Sequence, residues 1–205
     1  MHLTMQRIAA LLALLLAALF TLAPTASADG PARRAPVGVT VPNPGAENAD
    51  PFDPTLPQGW RRSVGPGNAA IRDTSPGVAW AGQAAFKLSA SAGNINDAGF
   101  VSSSFPLPQP FTEQARLTLY ARADVPATAL TYALTARDAQ GRYAGYACGV
   151  FMASASYAMY SAPLGYFSPA ATSASLELRA NVSGAQGGRS VWVDEIRLEP
   201  QPYTK

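Results

Sequence analysis

The sequence predicts an all-β fold, a two-sheet antiparallel β-sandwich of the jelly-roll type, and three observations carry that prediction. From Val37 onward the apolar residues recur in short alternating runs and not at helical spacing. The runs are punctuated by turn-forming clusters, and the chain holds 17 Gly and 18 Pro in 205 residues. About eleven such runs within one domain's length of chain suit two packed sheets.

Met1–Ala28 stands apart from that pattern. Arg7 precedes an apolar run, Ile8–Leu22, and Ala26-Ser27-Ala28 supplies a small-residue cleavage site, so the segment reads as a secretory signal peptide. The run is too short for a spanning helix. The expected product begins at Asp29 and is secreted, periplasmic or held at the cell surface without crossing a membrane. Residues 29–36 read as a flexible leader, 37–199 as the sandwich and 200–205 as a C-terminal tail.

The strands follow in order. Gly38–Val41, Gly59–Val64, Ala69–Arg72, Ala85–Ala90 and Gly99–Phe105 are each bounded by turn residues. In Ala115–Ala123, Leu117, Leu119 and Ala121 face one way, while Arg116, Thr118, Tyr120 and Arg122 face the other. Ala129–Arg137 and Tyr143–Phe151 flank the turn Asp138-Ala139-Gln140-Gly141, so Thr128–Phe151 reads as a hairpin. Tyr143 and Tyr146 are three apart and face opposite ways in an unbulged strand. After Tyr157–Ser161 comes Ala174–Asn181, with Leu176 and Leu178 toward the core and Ser175, Glu177 and Arg179 toward water. Ser190–Leu198 closes the set.

Composition excludes several chemistries. The net charge is +2, from 15 basic and 13 acidic residues with no basic run, which argues against nucleic acid as a partner. Only 14% of residues are charged, a balance that favours a neutral polar ligand. The single His, His2, lies in the signal peptide, so the exported chain can build neither a Ser-His-Asp nor a Cys-His nucleophile, nor a His-ligated metal site. The single Cys, Cys148, allows no intramolecular disulfide, and its apolar surroundings, Ala147–Phe151, predict a buried, inert thiol. Asn181-Val182-Ser183 fits a glycosylation sequon, a pattern that also arises by chance.

Six ordered motifs resemble the CenC-type carbohydrate-binding modules and their galactose-binding-like jelly-roll relatives. Asn43-Pro44-Gly45-Ala46-Glu47 is similar to that family's opening motif, and Leu56-Pro57-Gln58-Gly59-Trp60 to its Pro-x-Gly-Trp. Gly82–Leu88, Ala115–Ala123, Ala171–Leu178 and Val191–Leu198 complete the order. Ala46 stands in place of the usual aromatic, which calls for another side chain to fill the core, and Tyr157 stands where many relatives carry Trp.

The resemblance implies that Glu47 and Asp194 help hold a structural Ca²⁺ together with backbone carbonyls near Gly82–Lys87. The alternative makes Glu47 a turn carboxylate paired with Lys87 or Arg197. It also implies a buried Trp60. Trp192, between Val191 and Val193, fits either face. Trp80, in the small-residue loop Pro76–Gly82, is either a platform for the apolar face of a sugar ring or a lid on the core. Trp80, Tyr120, Arg122 and Tyr143 are the ligand-binding candidates, with Tyr132, Tyr146 and Gln140 as further members of such a face.

The reading is a secreted, non-catalytic protein that binds polysaccharide or a cell-surface glycan. The alternative is a structural or interaction protein of the cell envelope that meets a protein partner through edge strands and the Ala153–Ser156 surface. A carboxylate-pair glycanase is a third reading, with Glu177 the only Glu in a clear mid-strand position.

Overall fold

Side-chain alternation sets the strands, and the gap between two sheets collects their inward faces. The computed structural model describes residues 38–65, 68–91, 98–108, 114–165, 167–180 and 188–201. The expected signal peptide, its cleavage site, the leader, the sequon and residues 202–205 lie outside them.

Among the described residues eleven strands follow one another: β1 (Trp60–Val64), β2 (Ala69–Asp73), β3 (Ala85–Ala90), β4 (Ala98–Ser102), β5 (Phe105–Pro106), β6 (Gln114–Ala123), β7 (Thr128–Arg137), β8 (Tyr143–Ala153), β9 (Ala158–Pro163), β10 (Ser173–Ala180) and β11 (Arg189–Gln201). One sheet runs β1-β4-β10-β7-β8, with β5 also on β10, and the other runs β2-β3-β11-β6-β9. Every strand pairing is antiparallel. Among the described residues, β2–β3 and β7–β8 are the only consecutive strands that pair with each other, and the chain crosses repeatedly between layers, as a jelly roll requires. No helix among the described residues is long and apolar enough to cross a membrane.

The core fills the space between the sheets. At one end Trp60, Phe86 and Phe100 meet edge to face, with centroids 4.7 Å apart for Trp60–Phe86 and 5.4 Å for Phe86–Phe100. Trp60 is buried as expected, and its indole N–H donates to the Pro42 carbonyl at 2.7 Å. Leu117 and Leu119 from β6 and Leu176 and Leu178 from β10 all point into the gap between the sheets and are fully buried. Burying side chains of this size stabilises a fold by roughly 1.5–3 kcal/mol each before entropy is counted. The β7–β8 turn is closed by Asp138, whose Oδ1 accepts from the amides of Gln140 and Arg142, both at 2.9 Å.

Three local features depart from simple alternation. Gly38–Val41 is no strand; Val39 makes one isolated bridge to Leu198. The expected run Gly99–Phe105 divides into β4 and β5, since the register against β10 shifts between Val101 and Phe105 and the Leu176 amide there donates to the Ser102 hydroxyl at 2.9 Å. A bulge in β8 sets Ala136 opposite Gly145 but Arg137 opposite Tyr143. The extra residue, Ala144, turns inward, so Tyr143 and Tyr146 are both exposed instead of facing opposite ways. Gly145 is required there: its φ is +152°, and an added Cβ would collide with the Phe167 ring.

Cys148 also corrects the sequence reading, because it is exposed. It pairs with Ala133 on the outer face of β8, where its neighbours along the strand, Tyr146, Val150 and Met152, are exposed as well. An apolar run signals burial only when both faces of the strand are covered, and here one is open.

Candidate functional site

The bulge in β11 builds the site. Asp194 pairs with Tyr120 and Arg197 with Thr118, so Glu195 and Ile196 together oppose one residue of β6. Glu195 takes a left-handed φ of +49°, which lets Val193 and Ile196 both point inward and leaves Asp194 outward. The β2–β3 loop then covers Asp194, whose exposure is 0%. Its Oδ2 accepts from the Trp80 amide at 2.8 Å and the Ala81 amide at 3.0 Å, and its Oδ1 from the Glu195 amide at 2.8 Å.

Glu47 holds the same loop one turn further on. Its Oε1 accepts from the Gln83 amide at 3.0 Å and the Ala84 amide at 3.2 Å. Gly82 is left-handed at φ +70°, and a Cβ there would collide with Glu47 Oε1, so this approach needs glycine. Glu47 is itself fixed. Asn43 closes the turn that carries it, donating from Nδ2 to the Asn48 carbonyl at 2.7 Å, and Arg72 donates to the Ala46 and Glu47 carbonyls, each at 2.6 Å. Neither proposed partner of Glu47 is in place, because Lys87 sits 3.7 Å from Asp73 and Arg197 3.0 Å from Glu195.

Two carboxylates remote in sequence thus tie one loop, and Trp80 rides on it. Trp80 is 51% exposed, and its ring lies on Tyr120 with centroids 4.6 Å apart and planes 10° from parallel. Tyr157 stands beside it at 6.0 Å and donates its hydroxyl to the Val78 carbonyl, a second tie on the loop. Burial and the Asp194 charge, opposed by Arg122, push the Tyr157 hydroxyl up to about 12, so it stays a donor at neutral pH.

The next row of the sheet is layered. Trp192 lies between Lys87 on β3 and Arg122 on β6, with Lys87 Nζ 5.1 Å and Arg122 Cζ 4.2 Å from its ring centroid. Arg122 also lies 5.5 Å from the Tyr157 ring. The indole N–H of Trp192 donates to Asp73 Oδ2 at 2.9 Å, and Asp73 Oδ1 accepts from the Ser75 amide and hydroxyl at 3.0 and 2.7 Å. Burial pushes the Asp73 carboxyl up, but Trp192, Ser75 and Lys87 together outweigh it and hold the group below its ordinary value. Asp194 goes the other way: burial raises it in spite of its three amide donors. A cleft of about 280 Å³ opens in the same loop, lined by Thr74, Ser75, Pro76, Gly77, Ala79, Gly82 and Gln83.

Of the ligand-binding candidates, the fold brings Trp80, Tyr120 and Arg122 together on the outer face of the five-stranded sheet. Tyr143 does not join them; it is 68% exposed on β8 of the other sheet. Tyr146 is on β8 too, and Tyr132 is buried in the core. Sequence reasoning missed Asp73, Lys87 and Tyr157 as supports of the site. The alternation of β3 does put Lys87 on the face opposite Phe86 and Leu88, so its position was readable, but its register opposite Trp192 was not.

No protein-family model and no curated protein matches this sequence. Solved structures are similar in fold. The enzymatically active domain of tailspike protein 4 from bacteriophage CBA120 aligns at TM-score 0.58 and 14% identity over 80% of this chain and 21% of that one. An arabinose-bound GH51 α-L-arabinofuranosidase aligns at 0.55 and 14% over 82% and 27%. The chain therefore spans about a fifth and a quarter of those two. The CBM22-1 xylan-binding domain of Paenibacillus barcinonensis Xyn10C aligns at 0.51 and 14% over 84% of this chain and 100% of that one. At such identity the likeness establishes a jelly roll like that of carbohydrate-binding modules.

Proposed function

We propose that this chain is a secreted, non-catalytic carbohydrate-binding protein of the CenC type, with its binding surface on the outer face of the five-stranded sheet. The observation that carries the reading is the Trp80 indole. It is half exposed, backed by Tyr120 at 4.6 Å, and mounted on a loop whose amides are tied to buried Asp194 and to Glu47. A sugar ring offers apolar C–H groups on one face and hydroxyls at its rim. A flat aromatic surface held before the ligand arrives binds such a ring without a further ordering cost. The cleft in the same loop, lined by hydroxyls and loop backbone, is smaller than the roughly 300–1,000 Å³ of a drug-sized ligand site, which suits one or two sugar rings. The xylan-binding domain matched over its whole length supports the same reading. Glu177, the carboxylate that a glycanase reading rests on, is engaged by Arg179 at 2.8 Å.

Calcium at Glu47 and Asp194 belongs to this proposal as a structural clip. The oxygens near Gly45 are of the kind a hard cation takes, Asp194 Oδ1 at 3.1 Å and Glu195 Oε1 at 3.6 Å from where a Cβ would stand. Glu47 brings its Cγ and not its carboxylate there, and among the described residues no three acidic side chains gather closely enough to hold an ion. The Gln83–Ala84 stretch, however, turns amides and not carbonyls toward Glu47.

A second reading has its own observation. β8 is an edge strand with exposed Tyr146, Cys148, Val150 and Met152, a surface that suits a protein of the cell envelope. The test is a pull-down of purified protein on insoluble polysaccharides and on protein-stripped and intact cell envelope. Retention by polysaccharide supports the first reading, and retention by intact envelope alone supports the second.

A further inference from the structure

Arg122 is an immobilised cation that the protein leaves without a counter-charge. Its guanidinium lies 4.2 Å from the Trp192 ring centroid and 5.5 Å from that of Tyr157. Both rings are fixed in turn, Trp192 by Asp73 and Tyr157 by the Val78 carbonyl. Some other arginines have a carboxylate partner, and Arg72, Arg116 and Arg137 have carbonyl or hydroxyl acceptors. Arg62 pairs with Asp53 at 2.8 Å, Arg142 with Asp138 at 2.7 Å and Arg197 with Glu195 at 3.0 Å. Among the described residues no carboxylate lies within ion-pair distance of Arg122. The two nearby are committed: Asp73 to Trp192, Ser75 and Lys87, and Asp194 to the amides beneath the loop.

Stacking uses the π-face of a guanidinium, and beyond the contact of Arg122 with the Tyr157 hydroxyl the remaining in-plane N–H groups are left to form a fork. Such a fork matches a carboxylate with two parallel hydrogen bonds, and rings that hold it still remove the entropy of arranging it. Tyr120, two residues along the same strand face, is the platform under Trp80. A saccharide stacked on Trp80 would therefore extend over the row that holds Arg122.

We propose that the glycan taken by this face is anionic, a polysaccharide with a uronate carboxylate on its repeat, read by Arg122. This rests on the carbohydrate-binding reading above and adds the substrate class. It departs from the neutral ligand that the low overall charge favours, because selectivity follows the one uncompensated charge at the site and not the total.

The test uses one polymer in two states. Binding of the protein to polygalacturonate and to the same polymer with its carboxyl groups chemically reduced is measured by affinity electrophoresis, with dextran sulfate as a charge control. The expected result is a preference of about tenfold or more for the uronate form. Arg122→Gln should abolish that preference and Arg122→Lys retain only part of it, since lysine keeps the charge and loses the fork. The preference is a ratio of two affinities on one preparation, so a destabilised variant still reports it. Equal binding to both forms, or binding that follows dextran sulfate equally well, overturns the uronate inference and leaves the carbohydrate reading standing. Absence of binding to these and to every neutral polysaccharide defeats that reading as well.

Discussion

The outer faces of the two sheets both expose aromatic side chains, yet they are built differently. On the five-stranded sheet, Trp80, Tyr157 and Trp192 are each fixed through a backbone amide, a hydroxyl or an indole N–H, and their acceptors are Asp194, the Val78 carbonyl and Asp73. On the six-stranded sheet, Tyr143, Tyr146, Val150 and Met152 stand on one edge strand, more exposed than Trp80 or equally so, and among the described residues no covering loop ties them in a comparable way. Exposure alone would have favoured the second face. The supports beneath the side chains favour the first, because a binding surface gains affinity from order that exists before the ligand does.

The largest effect that can break this comparison is at Asp194. Asp194→Ala leaves the amides of Trp80, Ala81 and Glu195 without their acceptor under the loop. The expected loss is about 2–3 kcal/mol of stability, several degrees in melting temperature, with glycan affinity falling alongside. An unchanged melting curve would mean that the loop does not depend on this anchor. Calcium comes next. If Glu47 and Asp194 share an ion, chelator lowers the melting temperature, added Ca²⁺ restores it, and Glu47→Gln abolishes the response. If they act only as amide acceptors, chelator changes nothing and Glu47→Gln still lowers the melting temperature.

A smaller effect separates the two buried carboxylates by pH. Asp73 sits below its ordinary value of 3.8, so its stabilisation is present above that pH and is lost as pH falls through the lower folded value. Asp194 is raised, so its contribution is present below 3.8 and is lost as pH rises through its folded value. Asp73→Asn should therefore flatten the acid limb of a plot of melting temperature against pH below about pH 4. An acid limb identical to wild type would remove Asp73 as the support of Trp192. The smallest effect is expected on the other face. Tyr146→Ala and Met152→Ser should each change stability by no more than about 0.5 kcal/mol and leave glycan binding as it was. Loss of binding in either would move the site to β8.

Much of the fold was legible because the strands obey a period of two. Leu117, Leu119 and Ala121 face the core, as do Leu176 and Leu178, while Ser175, Glu177 and Arg179 face outward. What was not legible were the breaks in that period. The bulges at Ala144 and Glu195 add one residue each, and the parity of every side chain beyond them changes. Residue type does not show that Tyr143 stands on the other sheet, and the apolar run around Cys148 does not show that one face of β8 is open. Trp80, Tyr120 and Arg122 were legible as candidates by residue type and strand parity. Their convergence depends on Asp194 reaching the Trp80 amide across 114 positions of sequence, a contact that no local pattern encodes.

The most direct test of the central claim is Trp80→Ala, measured both for affinity to the bound polysaccharide and for melting temperature. The account predicts a tenfold to hundredfold loss of affinity, or about 1–3 kcal/mol, as expected for a large aromatic anchor. Stability should fall by no more than the roughly 0.5–1.5 kcal/mol of the Tyr120 stack, and Trp80→Phe should recover part of the binding. A melting temperature lowered by many degrees with affinity intact would contradict it, and would make Trp80 a lid over the sandwich.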